Sequence, residues 1–501
     1  MRARTNCGRA IPHALVARSS EHLTPGSGTF ALLRFTQAGP EVASLCAGAS
    51  WVALARKGRV RCPGVEETAS AHTSVVGESV VFERVLSHPR LPLLACLDSR
   101  LPAIQVWELS AGGFRQLAAI GTDQTDYDDA AVWERMQRTP SVSWHPRDPL
   151  LAVAGIGGLC RWTIDGVRPI DGPPTDADYR FVAFSPDGAT LWASPSFCGS
   201  GTADAATGAG DWDRSDVVDL ELGAVVAGQR WDTGVAAHPG GGLVVTLSSD
   251  QGATLALFAR VDDAAAPTSM RVLDRALILD ADGYETPHFS SDGRYLAIRG
   301  NAYENTLQVF EFPSLRRVVN IVLGDPNPGY PYPADWSEQY RSWSRHNIAF
   351  LAHSAVLIVG TPDGAVVEID LTSGHIVRRE VLGEDRVTAI AVAATGEIVV
   401  ASSYGGLTLT EHVAEDVPVD AADPTSVHER VALFLHDTTI VPDGADLYDA
   451  VQVTDGDRVW TTDDRSSVTT ASPSDPMWLR LRAHLNSLLG PRDPDVGPRN
   501  E

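Results

Sequence analysis

The sequence predicts an all-β protein: a seven-bladed β-propeller, or one of eight blades, followed by a small C-terminal appendage and a terminal helix. The main observation is a β-rich unit that recurs seven times, with turn residues 40 to 63 residues apart. The two shortest intervals, 40 and 41 residues, equal the length of one undecorated blade. In addition, 44% of the residues are hydrophobic, which permits a large buried core. The seven turn residues are His88, His145, Ser185, His238, Ser290, His353 and Ala394.

Each repeat consists of an apolar run, a tight turn, a second apolar run and a third run that alternates. In turns such as Ser185-Pro186-Asp187-Gly188, proline presets φ and glycine tolerates a positive φ. The central run is apolar on consecutive residues, as in Leu93–Leu97, which is typical of a strand buried on both faces. Such a small sheet cannot bury both faces alone, so the repeats are predicted to stack around an axis.

Two recurring motifs carry a resemblance to a known family. The strand–Ser-Pro-Asp-Gly–strand unit and the strand that ends at Trp107-Glu108-Leu109 resemble those of WD-repeat β-propellers, over residues 41 to 412. The resemblance implies a closed ring of blades. The Trp-Asp dipeptide of the family is absent from the expected strand ends, where Trp107-Glu108 and Trp162-Thr163 stand instead. The family's Asp-His-Ser-Trp hydrogen-bond network is therefore not carried over, and the chain is interpreted as a divergent, WD-repeat-like propeller.

The segments that flank the repeats predict further parts of the molecule. A closed ring often takes one strand of its last blade from the other terminus, and residues 44–62 could supply that strand or form an eighth blade. The terminal helix has apolar residues at helical spacing and Ser474 as a candidate N-cap, and it would dock on the propeller or on a partner. The predicted divisions are an N-terminal segment (1–40), the propeller (41–412), a linker and small α+β appendage or partial blade (413–473), an amphipathic helix (474–490) and a disordered tail (491–501).

Charge and composition bound the classes of partner and the compartment. The chain has 64 acidic and 40 basic residues, a net charge of −24, which repels phosphate backbones and argues against nucleic-acid binding. No apolar stretch is long enough to span a membrane, and the six cysteines are scattered without a C-x-x-C pair. We therefore expect a cytoplasmic protein with reduced thiols. Lys57 is the only lysine beside 39 arginines, which indicates a GC-rich, bacterial coding sequence.

The sequence contains no recognisable catalytic, cofactor-binding or metal-binding motif, and we expect none of these sites. The carboxylates of Asp123, Asp126, Asp128 and Asp129 could bind Ca²⁺, but without an EF-hand pattern a solvated acidic loop is favoured. The histidines of the repeat lie at equivalent turns, far apart in a ring, so they are interpreted as structural. The alternative that stays open is a propeller hydrolase or metal-assisted enzyme, whose acids and histidines converge on the central channel.

The best candidate for recognition is the insertion at residues 325–343. It holds five aromatic residues and four prolines in 19 positions, a composition that favours a stiff surface of the residue types enriched at binding hot spots. A loop that packs these side chains on the propeller rim is the other interpretation. The predicted function is a non-catalytic scaffold for protein–protein interaction in a bacterial multi-protein assembly, and a regulatory or sensor subunit is a further possibility. The candidate partner-binding residues are Tyr330, Tyr332, Trp336, Tyr340 and Trp343.

Overall fold

A computed structural model gives the arrangement of most of the chain. It describes residues 73–75 and 80–489, apart from gaps at 111–112, 129–134, 136–137, 157, 175–178, 196–213, 230, 232–233, 251–252, 262–269, 281–282, 301–303, 330, 353, 411–425, 443–444, 446 and 474. The predictions for the N-terminal segment, for residues 44–62, for the N-cap Ser474 and for the tail at 491–501 lie outside the described residues.

The described residues form seven small antiparallel sheets arranged as the blades of a propeller, as predicted. The first strand of the described residues, β1 (Thr73–Val75), belongs to blade 7. Blades 1 to 3 consist of β2 (Phe82–Ser87), β3 (Leu93–Asp98), β4 (Ile104–Ser110), β5 (Gly113–Ile120), β6 (Ser141–Trp144), β7 (Leu151–Ala154), β8 (Cys160–Thr163), β9 (Gly166–Pro169), β10 (Tyr179–Phe184), β11 (Thr190–Pro195), β12 (Arg214–Asp219) and β13 (Val225–Gln229).

The remaining blades repeat the same four-stranded order. Blades 4 and 5 consist of β14 (Ala236–Ala237), β15 (Leu243–Asp250), β16 (Ala253–Val261), β17 (Met270–Asp280), β18 (His288–Phe289), β19 (Tyr295–Arg299), β20 (Thr306–Glu311) and β21 (Arg316–Val322). Blade 6 is preceded by the helix α1 (Trp336–Ser342). Blades 6 and 7 contain β22 (Ile348–Phe350), β23 (Val356–Gly360), β24 (Ala365–Asp370), β25 (His375–Val381), β26 (Val387–Val392), β27 (Ile398–Ser402) and β28 (Leu407–Thr410).

The first strand of each blade is the innermost one. Strand β2 lies next to β26, β6 next to β10, and β22 next to β26, so the first strands of neighbouring blades meet around the central channel. The second strands are buried along their whole length, as the run of consecutive apolar residues in β3 predicts. Hydrophobic clusters fill the spaces between blades; Trp144 and Trp162 of blade 2, for example, lie in one cluster with Ala95 of blade 1.

The ring is closed by β1, which pairs antiparallel with β28 and forms the outermost strand of blade 7. A strand from the N-terminal side thus closes the ring, as expected, but it comes from Thr73–Val75 and not from residues 44–62, which were predicted either to supply it or to form an eighth blade. The closing strand lies at Thr73–Val75 because the chain then needs only a short link from the outside of blade 7 to the first strand of blade 1, β2. The choice between seven and eight blades is also settled, in favour of seven.

The C-terminal residues pack on blades 4 and 5. They form α2 (Val427–His436), α3 (Leu447–Ala450), β29 (Gln452–Thr454), β30 (Val459–Trp460), α4 (Thr462–Ser467) and α5 (Met477–Leu489). Helix α2 begins with a capping box between Ser426 and Glu429. Strand β29 pairs parallel with β17, so the sheet of blade 4 gains two strands and its outer edge is covered.

Helix α5 lies against the propeller along one face. Trp478 and Leu479 are buried in the same cluster as Leu255 of blade 4, and Trp478 packs edge-on against Trp460 at 4.9 Å. The opposite face is open, since Leu488 is 68% exposed. Among the described residues, no helix combines the length and the apolar content that crossing a bilayer demands.

Candidate functional site

The connections between strands divide between the two ends of the ring. At one end, which we call the turn end, lie the turns between the first and second and between the third and fourth strands, such as 88–92 and 220–224. At the other, the link end, lie the connections from one blade to the next, such as 121–140 and 323–347. Each innermost strand starts at the link end, so the first residues of these strands line the same mouth of the channel.

Three histidines at the turn end join neighbouring blades. The Nε2 of His88 donates to the carbonyl of Asp148 in blade 2 at 2.9 Å, and that of His238 donates to the carbonyl of Gly293 in blade 5 at 3.0 Å. His145 bonds in the same way to the backbone of Gly188 in blade 3. In each ring Nδ1 accepts from backbone amides of its own turn, so the proton lies on Nε2. These histidines are structural, as interpreted from the sequence; His353 lies outside the described residues.

Burial keeps these three imidazoles neutral. Loss of solvent around the rings lowers the pKa of His88 and of His145, and lowers the pKa of His238 to about 4. Only the neutral ring can accept at Nδ1 while it donates at Nε2, so these hydrogen bonds need the protonation state that burial favours.

A group of polar side chains meets at the channel mouth on the link end. Arg84 lies on β2 and His288 on β18, both innermost strands, while the other members lie in the links that lead into blades 5 and 6. His288 is exposed although it belongs to an innermost strand, so its side chain faces the open channel. We call this group the channel cluster; its members are Arg84, Glu285, His288, Arg345 and His346.

Within the channel cluster, one acidic and one basic side chain form an ion pair. The Nη1 of Arg345 lies 3.2 Å from Oε1 of Glu285, with 38% and 26% of the two side chains exposed. The Nη2 of the same guanidinium donates to the Tyr340 hydroxyl at 3.4 Å. Arg84, from the far side of the channel, is close enough for its charge to act on both Glu285 and His288.

The electrostatics give the channel cluster one net positive charge at neutral pH. The channel walls restrict the solvation of both imidazoles and, together with the Arg84 charge, lower the pKa of His288 and of His346 to about 4, so both rings are neutral. Desolvation raises the pKa of Glu285, but the charges of His346 (once that ring is protonated at low pH), Arg345 and Arg84 hold it below its usual value, so the carboxylate is ionised at neutral pH. Two guanidinium groups and one carboxylate leave a charge of +1, in a chain whose net charge is −24.

The insertion at 325–343 presents a stack of three aromatic rings. The rings of Tyr332 and Trp336 lie 4.4 Å apart at 12°, and those of Trp336 and Tyr340 lie 5.3 Å apart at 21°. Spacings of four residues place these side chains on one face of α1 and its preceding turn. All three keep exposed surface, 38% in the case of Tyr332. We call Tyr332, Trp336 and Tyr340 the aromatic ladder.

The other two candidate residues of the insertion are placed differently. Trp343 is 7% exposed and packs in the core between blades 5 and 6, with Leu323 and Ile348. Its indole lies so close to Gly324, whose φ is +86°, that a Cβ there would come within 2.6 Å of Nε1. Trp343 therefore anchors the insertion from below rather than offering surface. Tyr330 lies outside the described residues.

A buried arginine fixes the end of the aromatic ladder. Arg299 is fully buried and donates to the carbonyl of Ser344 at 2.8 Å and to Oδ1 of Asn347 at 3.1 Å. Asn305, which also accepts from Arg299, donates to the carbonyl of Tyr340 at 3.0 Å. Burial lowers the pKa of Arg299 to about 9, so the guanidinium stays charged at neutral pH and holds these neutral oxygens in place.

Two arginine side chains stabilise the acidic loop that contains Asp123 and Asp126. Arg138 donates to the carbonyls of Thr125 and Asp126, and the Arg135 guanidinium lies 4.8 Å from the centre of the buried Tyr127 ring. Asp129 lies outside the described residues. Across the described part of the chain, no three His, Cys, Asp or Glu side chains come together in a way that could hold a metal ion.

Sequence reasoning found the aromatic insertion but missed both the channel cluster and Arg299. The only local signal was a polar residue one or two positions before the first apolar run of a repeat, as at His288 and His346. A comparison of the chain with protein-family models and with curated proteins found no match, so its assignment to the propeller fold stands on the sheet topology.

Proposed function

We propose that this protein is a non-catalytic propeller scaffold that mediates protein–protein interaction, with the aromatic ladder as its recognition surface. The observation that carries the proposal is a stack of partly exposed aromatic rings whose position is fixed in advance by Arg299, Asn305 and Trp343. Tyrosine and tryptophan dominate binding hot spots, and a surface ordered before binding loses less conformational entropy in the complex.

The charge around the aromatic ladder favours a basic partner. Residues 325–341 contain Asp325, Asp335 and Glu338 against the single base Arg341, a net charge of −2. This local field has the same sign as the net charge of the chain, so it steers basic protein surfaces towards the ladder. Arginine and lysine side chains also stack on tyrosine and tryptophan rings. The proposed occupant is therefore a basic segment of a protein partner.

Three finer statements belong to the same proposal and rest on the sequence alone. They are a divergent WD-repeat-like kinship, supported by the blade turns at 185–188 and 290–293; a bacterial source, supported by the arginine excess; and a place in a cytoplasmic multi-protein assembly.

The alternative, a hydrolase with a site in the channel, has one observation in its favour, the convergence of Glu285, His288 and His346. General acid catalysis needs a group that holds a transferable proton at the working pH. At neutral pH this carboxylate is ionised and the pKa values of both imidazoles lie near 4, so none of these three groups can serve as a general acid at that pH.

The test is affinity capture from native lysate with three immobilised proteins: the wild type, Trp336→Ala, and the control Leu222→Ala. Leu222 is 76% exposed at the turn end, so its replacement removes a similar apolar surface from the opposite end of the ring. We expect a stoichiometric protein that the wild type and the control retain and the Trp336 variant loses.

The captured protein is then purified and its affinity measured. Removal of a hot-spot tryptophan should weaken binding by about 30-fold, and affinity should fall as salt is raised from 50 to 300 mM. A partner that binds all three proteins equally would place recognition elsewhere, and a lysate that yields no stoichiometric partner would contradict the scaffold function.

A further inference from the structure

Arg84 in the channel cluster carries a charge that no described residue neutralises by direct contact. Its guanidinium has no hydrogen bond or ion pair with the described part of the chain. The nearby carboxylate of Glu285 is bonded to Arg345 instead. Burial lowers the pKa of Arg84, which means that the channel solvates this charge less well than water does. A bound anion would relieve that penalty.

Two neutral imidazoles lie close enough to this charge to feel it. His288 and His346 are neutral, and each imidazole then carries one N–H group. The side chains of these two histidines, like that of Arg84, make no hydrogen bond to another described residue. A guanidinium flanked by N–H donors is the arrangement with which proteins bind carboxylate and phosphate groups.

We propose that the channel mouth is a binding site for an oxyanion, a carboxylate or phosphate group, held by Arg84 with His288 and His346 as further donors. Glu285 does not repel the anion strongly, because its ion pair with Arg345 offsets its charge. The site is separate from the aromatic ladder and does not depend on the proposed scaffold function.

The first experiment titrates inorganic phosphate into the full-length protein at constant ionic strength and measures binding by calorimetry. We expect saturable one-to-one binding that Arg84→Gln weakens at least tenfold. Arg168→Gln is the matched control, because this residue is exposed on β9 and its loss changes the net charge equally. Equal affinity in the two variants, or no saturation of the wild type by 20 mM phosphate, would overturn the proposal.

A second pair of variants covers the case in which Arg84→Gln does not fold. Arg84→Lys keeps the charge but not the planar fork, so phosphate should bind with intermediate affinity. His288→Phe removes one donor at an exposed position and should weaken binding several-fold. If neither variant changes the affinity, the anion binds elsewhere and the assignment is wrong.

Two further arms distinguish the source of the oxyanion. A short peptide with a free C-terminal carboxylate is compared with its C-terminal amide, and each competes against phosphate. If only the free acid competes, the site takes a peptide terminus; if neither competes, it takes a free small anion.

The pH dependence gives an independent readout. The charged groups that face the two imidazoles are Arg84, Glu285 and Arg345. A bound anion favours protonated imidazole, so sulfate, whose charge is constant above pH 4, should bind more tightly at pH 5 than at pH 7.5. The increase should disappear when His288 and His346 are both replaced by glutamine; affinity that stays constant with pH would exclude the histidines from the site.

Discussion

The turns between first and second strands use two different anchors. In blades 1, 2 and 4 a buried histidine bonds to its own turn and also to a carbonyl of the next blade. In blades 3 and 5 a serine stands at the same place, and its hydroxyl donates to an aspartate two residues on, as in Ser185–Asp187. The histidine side chains therefore couple neighbouring sheets, whereas the serine side chains bond only within their own turns.

The histidine and serine turns should differ most in the free energy of unfolding that is lost when the anchor residue is replaced by alanine. His238→Ala leaves a cavity beside Phe289 and Phe312 and an unpaired carbonyl at Gly293, and should lower the free energy of unfolding by about 4 kcal/mol. Ser290→Ala loses bonds within one turn and should lower it by about 1 kcal/mol. Urea unfolding of both variants measures the contrast, and equal losses would show that the histidine does not couple the blades.

The glycine whose backbone accepts the hydrogen bond from the histidine should be the next most sensitive position to substitution. Gly188 has a φ of +79°, and a Cβ on it would overlap the His145 ring, so Gly188→Ala should destabilise by about 3 kcal/mol. Gly396 in blade 7 has a φ of +100° and open space around it, so Gly396→Ala should lose only about 1 kcal/mol. If thermal unfolding gave the same loss at both glycines, the backbone angle alone would explain it.

The histidine turns should also make stability depend on pH. The pKa of His238 is about 4 in the folded protein and 6.5 in the unfolded chain, so below pH 6.5 the unfolded state binds more protons. The stability that this histidine contributes is complete above pH 6.5 and should fall by about 2 kcal/mol on acidification to pH 5. His238→Gln should flatten this part of the stability curve, and an unchanged slope would exclude His238 as its source.

The smallest effect is expected at the serine turns. Asp187 accepts from the Ser185 hydroxyl and from the amide of Ala189 in its own turn. Asp187→Ala should therefore lower the free energy of unfolding by only about 1 kcal/mol. A loss as large as that of His238→Ala would mean that the Asp187 side chain also contributes to contact between blades, beyond the bonds of its own turn.

Local patterns in the sequence predicted most of the ring. Runs of consecutive apolar residues marked the second strands, and proline, aspartate and glycine marked the turns. The closing strand escaped prediction because Thr73–Val75 is three residues long and has no apolar run. The pairing of β29 with β17 escaped because a parallel contact between residues 275 and 452 leaves no local periodicity.

Local sequence patterns were equally limited in predicting the candidate sites. The composition of 325–343 marked the aromatic ladder, but only burial separates Trp343, which anchors the segment, from Trp336, which faces outwards. The channel cluster joins residues from positions 84, 285–288 and 345–346 that are neighbours only after the ring has closed. No spacing in the sequence could indicate that proximity.

The position of β1 has a consequence for synthesis of the chain on the ribosome. Its partner Leu409 is 336 residues after Thr73, so the two cannot meet until the last blade has been translated. At 5 to 20 residues per second this interval lasts roughly 20 to 70 seconds. Throughout that time the nascent chain exposes the apolar face of blade 1 that later packs against blade 7, including Trp107 and Leu94. Protection from aggregation during this window is a requirement that the architecture itself imposes on the cell.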